Sequence, residues 1–118
     1  SPGQAFTDVS TTYWSASPEW KKDETLTVDL EKETPISMIQ ITERPHACRI
    51  QCFSLLYSMS GSNWYSITDH HTGSWDQRHM EFTDLNIMAR FIKLVIHETR
   101  KDQFNHDEPG ISLFEVYE

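Results

Sequence analysis

The sequence predicts an all-β domain, an antiparallel sandwich or barrel. Three observations carry that expectation. Short runs rich in β-branched and aromatic residues, roughly seven or eight of them, recur at regular spacing between turn-forming residues. No stretch holds the helical apolar period over an ordinary helix length. And residues 89–98, Ala-Arg-Phe-Ile-Lys-Leu-Val-Ile-His-Glu, contain neither Gly nor Pro and alternate like a strand. One alternating set there is Arg90, Ile92, Leu94 and Ile96, almost wholly apolar, which predicts a deeply buried face. The other set, Phe91, Lys93, Val95 and His97, is mixed and predicts a partly covered face.

Residues 1–17 are polar and turn-rich, because Asp, Ser and Thr side chains compete with regular backbone pairing. Tyr13, Trp14 and Trp20 read as anchors of that segment. Leu26-Thr27-Val28-Asp29-Leu30 alternates as a strand, Glu31-Lys32-Glu33 reads as a solvated turn, and Pro35 opens a strand over 36–42. Pro45 marks 43–49 as a loop. A long strand over 50–58 and a short one over 64–67 flank Ser60-Gly61-Ser62-Asn63, which predicts a hairpin. Residues 69–77 read as a polar loop, 79–83 as a short strand, 84–88 as a connector, 99–110 as a charged loop and 111–117 as the closing strand.

At 118 residues the chain forms one domain. The formal net charge of −8 repels phosphate backbones and anionic headgroups, so nucleic acid and acidic membrane are disfavoured as partners. No apolar run reaches the ~20 residues of a membrane helix, and the chain, which starts abruptly at Ser1-Pro2-Gly3, contains no signal sequence. Extended backbone between Cys48 and Cys52 separates them by roughly 13 Å. That exceeds the ~7 Å limit for a disulfide, so both read as free thiols.

The order of these elements resembles the discoidin, or coagulation-factor type C, family of galactose-binding-like domains. The resemblance rests on Ala5-Phe6, Thr12-Tyr13-Trp14 and Trp20 ahead of the 26–30 strand, and on Tyr57-Ser58 with Gly61 and Trp64. It rests also on Ala89-Arg90-Phe91-Ile92-Lys93-Leu94 and on Ile111-Ser112-Leu113-Phe114-Glu115-Val116. It implies a jelly-roll β-sandwich. Within the family the chain looks most like carbohydrate-binding modules of bacterial glycoside hydrolases. Glu43, Arg49-Ile50 and the Phe53 strand resemble modules that trail α-fucosidases. The resemblance therefore implies a non-catalytic module that brings an attached enzyme to glycans, of galactose or fucose type, in an extracellular or periplasmic setting. The family strand expected before Ala5 is missing or very short, which implies a piece of a larger enzyme.

The resemblance also selects residues. Ligand loops in this family cluster at one end of the sandwich. There Arg44, with Glu43 and His46 beside it, is the candidate for sugar hydroxyls, since a guanidinium offers a planar fork of donors. Phe104 matches a stacking aromatic, with His106 as a hydrogen-bond partner, and Trp75 is a second stacking candidate. Each has a plainer account as well: a solvated Arg, or an aromatic that caps the core. A structural calcium in such modules uses hard oxygens from an early loop and a late Glu. Here the candidates are Asp8, Thr12 and Glu115, although Thr7 occupies the position where the family carries the acid. Ser15 and Pro18 stand near the positions where galactose binders carry a His and an aromatic.

No nucleophile elbow, Cys–His pair or His-Glu metal motif appears, so the sequence does not point to an enzyme. Adjacent His70 and His71 would face opposite ways on a strand and make a poor metal pair. The alternative function is a structural or protein-interaction module without a sugar site.

Overall fold

The computed structural model describes residues 5–9, 14–15, 24–45, 48–73, 78–100 and 109–118, with 5–9, 14–15 and 24 described by backbone alone. Among these residues run nine strands: β1 Ala5–Val9, β2 Trp14–Ser15, β3 Glu24–Ile36, β4 Met38–Glu43, β5 Arg49–Ser58, β6 Tyr65–Thr72, β7 His79–Phe82, β8 Ile87–Arg100 and β9 Gly110–Tyr117. They pair antiparallel into two sheets. One sheet has the order β1-β9-β4-β7, with β2 also on β9, and the other is β3-β8-β5-β6. The all-β sandwich expected from the strand pattern is what forms.

β8 lies at the centre of its sheet, between β3 and β5. Ile92, Leu94 and Ile96 are fully buried, as their shared alternating set predicts. They meet Leu26 and Val28 of β3, Phe53 and Leu55 of β5, and Ile39, Ile41, Phe114 and Val116 from the facing sheet. Arg90 departs from the predicted set. The β3–β8 register slips between Asp29 and Thr34, so the 30–33 segment bulges opposite Arg90. Arg90 is turned out to solvent, where its guanidinium donates two hydrogen bonds to Asp29 at 3.0 and 3.1 Å. The same bulge corrects the expected turn at Glu31-Lys32-Glu33. Glu31 takes a left-handed φ of 73° with its amide held by the Asp29 carboxylate, and β3 then continues to Ile36.

The chain changes sheets at Ser37, whose amide donates to the Tyr117 carbonyl. The predicted 59–64 hairpin joins β5 to β6, with Tyr57 opposite Tyr65. Ser58 Oγ accepts from the amides of Ser60 and Gly61, and Gly61 has φ +82° beneath the Phe91 ring. A second correction concerns 69–77. His70 and His71 are not in a loop, because β6 runs to Thr72. No disulfide joins Cys48 and Cys52, as their spacing predicts.

Candidate functional site

The antiparallel directions bring three connections to one end of the sandwich. They join β4 to β5, β6 to β7 and β8 to β9. Backbone bonds tie them together. Arg44 N–H donates to the Gly110 carbonyl at 2.9 Å, Glu43 N–H to the Arg78 carbonyl at 2.7 Å, and Gly73 N–H to the Gln51 carbonyl at 2.8 Å. Cys48 bridges Pro109 across the same end. These bonds satisfy backbone groups that ladder ends leave open, and they fix where the loops depart.

Arg44 stands in the middle of this frame. It is half-buried, and its carbonyl accepts a bond from the Arg78 guanidinium at 2.8 Å. Arg100, opposite Arg49 in the β5–β8 register, ends β8 at the same rim. Four of the five arginines, Arg44, Arg49, Arg78 and Arg100, thus lie at one end of a chain with net charge −8. The sequence reading singled out only Arg44. Arg78 and Arg100 join it through strand pairing between distant segments, which leaves no local signal.

Glu43, expected beside the ligand, has a different place. It is 1% exposed, accepts from the Ile50 amide at 2.8 Å, and pairs with the Arg49 guanidinium at 3.3 Å. Burial pushes its carboxyl above the ordinary glutamate range, outweighing the Ile50 amide and Arg49, which both favour the charged form. It is therefore corrected from a ligand contact to a buried link between β4 and β5. His46, Trp75, Phe104 and His106 lie outside the described residues, as does Thr12.

The two remaining calcium candidates are cross-strand partners, since the β1–β9 register sets Asp8 directly opposite Glu115. The half-buried Glu115 carboxylate accepts a bond from the Tyr117 hydroxyl at 2.9 Å.

A cavity of about 450 Å³ lies at the opposite end, under the 59–64 hairpin, lined by Tyr57, Met59, Asn63, Tyr65, Asn86 and Met88 among others. Tyr65 is 59% exposed there, its ring 5.6 Å from that of Tyr57.

The F5/8 type C domain model matches residues 1–114. The chain belongs to the F5/8 type C domain family. Among solved structures, a pectin binding carbohydrate binding module is 26% identical, with a TM-score of 0.68, over 95% of this chain and 75% of that one. The family 32 module of NanJ from Clostridium perfringens, solved with galactose, is 20% identical, with a TM-score of 0.73, over 90% of this chain and 76% of that one. A third, SpGH29, is 19% identical with a TM-score of 0.70; it aligns with 93% of this chain but only 22% of its own. No curated protein sequence matches significantly. This F5/8 type C domain thus shares its sandwich with carbohydrate-binding modules and with a segment of a much longer chain.

Proposed function

We propose that this F5/8 type C domain is a non-catalytic carbohydrate-binding module, and that it takes its glycan at the arginine-rich end around Arg44. The observation that carries the reading is the backbone frame there. Three connections from distant parts of the chain are bonded together around one half-buried arginine. A rigid frame of that kind holds a guanidinium for bidentate hydrogen bonding with little loss of entropy on binding.

The clustering of Arg44, Arg78 and Arg100 favours a glycan that presents carboxylates beside its hydroxyls, since guanidinium pairs bidentately with carboxylate. The likeness to a pectin binding module supports that choice. The likeness to a segment of the longer SpGH29 chain supports attachment to further domains in cis, and the likeness to a module from a family 31 glycoside hydrolase supports a hydrolase among them. The domain would then raise the local concentration of that enzyme at its glycan, outside the cell.

The exposed Tyr65 favours a second reading, in which the sugar stacks in the cavity under the hairpin. Titration with polygalacturonate and with neutral galactan separates the two. Arg44→Ala should abolish millimolar-range binding of polygalacturonate while Tyr65→Ala leaves it intact. The reverse pattern would move the site to the hairpin end. No binding of either polymer by the wild-type chain would sink the reading as a glycan module.

A structural calcium at Asp8 and Glu115 belongs to the same proposal. It would tie the first and last strands together.

A further inference from the structure

Met59, Tyr65 and Met88 are the large apolar side chains left exposed among the described residues, and all three line the cavity under the 59–64 hairpin. They come from separate places: the hairpin itself, the start of β6 and the start of β8. Apolar residues exposed singly are ordinary. Their concentration around one concavity of about 450 Å³ marks a ligand site. Charged residues make up 24% of the chain, yet none of the described residues lining this cavity is Asp, Glu, Lys, Arg or His. An ion entering it would lose water and gain no counter-charge, so the occupant is neutral.

Hydrogen bonds fix the walls before any ligand arrives. The buried Ser58 holds the Ser60 and Gly61 amides, and Ser60 Oγ in turn accepts those of Ser62 and Asn63 at 3.1 and 3.2 Å. On the other side the Leu85 amide donates to the Ser37 carbonyl at 2.9 Å, which pins the connector that carries Asn86 into β8. Tyr57 packs against the core and stands opposite Tyr65 in the β5–β6 register. Tyr65 is thus backed by an anchored ring while it stays exposed itself. Walls held in this way lose little entropy when a ligand binds.

The lining also separates an aromatic ring from a sugar ring. A pyranose would bring its rim of hydroxyls against the thioethers of Met59 and Met88, weak acceptors that do not replace the water those hydroxyls lose. An aromatic ring has no such rim. It stacks on Tyr65, and methionine sulfur favours the edge of an aromatic. The polar part of the lining includes Asn63 and Asn86, whose side-chain amides make no hydrogen bond among the described residues. Each supplies donors and an acceptor for a phenolic hydroxyl or an ester carbonyl. We propose that the hairpin-end cavity binds an uncharged phenolic ester, independently of the glycan site around Arg44.

The test is an NMR titration of the intact chain with methyl 4-hydroxycinnamate. A Kd of roughly millimolar or tighter is expected for a ligand of this size. Ring-current shifts of the Met59 and Met88 methyl signals should accompany binding, a readout in wild type that needs no variant to fold. Tyr65→Ala should weaken the ester about fivefold or more, through the lost stacking. The 4-hydroxycinnamate anion, with the same ring and a charge, should bind less tightly than the ester. Saturating polygalacturonate should leave the ester's affinity unchanged. The ester is read on its own signals, so failure of this proposal and failure of the glycan reading are distinguishable. No shift of either methyl signal at millimolar ester, equal affinity in Tyr65→Ala, equal affinity for the anion, or tighter binding of methyl β-galactoside at the same methyl signals would each overturn the proposal.

Discussion

Gly73 donates its amide to the Gln51 carbonyl, and any Cβ at Gly73 would fall inside van der Waals contact with the carbonyl oxygen of Ile50. The obstacle is backbone, which has no rotamer to yield. β6 and β5 can close together at the arginine-rich end only because residue 73 lacks a side chain.

Gly73→Ala should therefore cost about 1–3 kcal/mol, the usual range for forced overpacking, as measured by urea unfolding. Weaker polygalacturonate binding should accompany it, since the displaced residue lies at the end of the sandwich that carries Arg44. A variant as stable as wild type would show that this end is not closed as described.

Glu43 and Arg49 form a buried pair, so removing the cation leaves a carboxylate without its partner. Arg49→Ala is expected to lose about 3–5 kcal/mol in chemical denaturation. Because burial raises the Glu43 carboxyl in the folded state, its favourable contribution is fully present below the unfolded value. That contribution is lost as pH rises through the folded value. Glu43→Gln removes this dependence. Its stability relative to wild type should improve as pH rises from the ordinary glutamate range upward, and a flat difference across that range would contradict the assignment.

Phe53 is fully buried and meets the rings of His71 at 5.1 Å and Phe82 at 6.0 Å. Phe53→Ala should destabilise by about 3–5 kcal/mol through lost transfer energy and a cavity. Thermal unfolding would reveal it as a large drop in Tm, whereas Tyr65→Ala at the exposed hairpin should shift Tm little.

Asp29 is the mirror case of Glu43. The Arg90 guanidinium holds its carboxyl below the ordinary range, with the Glu31 amide adding to the effect. Its contribution is present above the unfolded value and is lost as pH falls through the folded one. An NMR titration of the Asp29 carboxyl should show the depressed value in wild type and a return towards the ordinary range in Arg90→Gln.

If Asp8 and Glu115 hold calcium, chelation should lower the Tm of wild type and leave Glu115→Gln unmoved. An unchanged wild-type Tm would remove the ion from the account.

Much of the fold was legible in the residues. The alternation of Ile92, Leu94 and Ile96, the turn signals around Gly61 and the lack of helical period are local properties, set by a two-residue side-chain period and by turn chemistry. Arg44 was legible as a candidate because the family resemblance located its loop. What the sequence alone determined was therefore the class of fold and the end of the molecule to inspect.

Tertiary structure decided the rest, and register is the physical reason. A bulge shifts every later side chain by one face, and nothing in the local pattern announces it. That is why Arg90 left the buried set, and why Asp69, His70 and His97 meet over Ser54. Long-range pairing likewise turned Glu43 inward to Arg49 and gathered Arg78 and Arg100 beside Arg44. Each outcome depends on a partner strand tens of residues away, and a linear reading cannot weigh which partner wins.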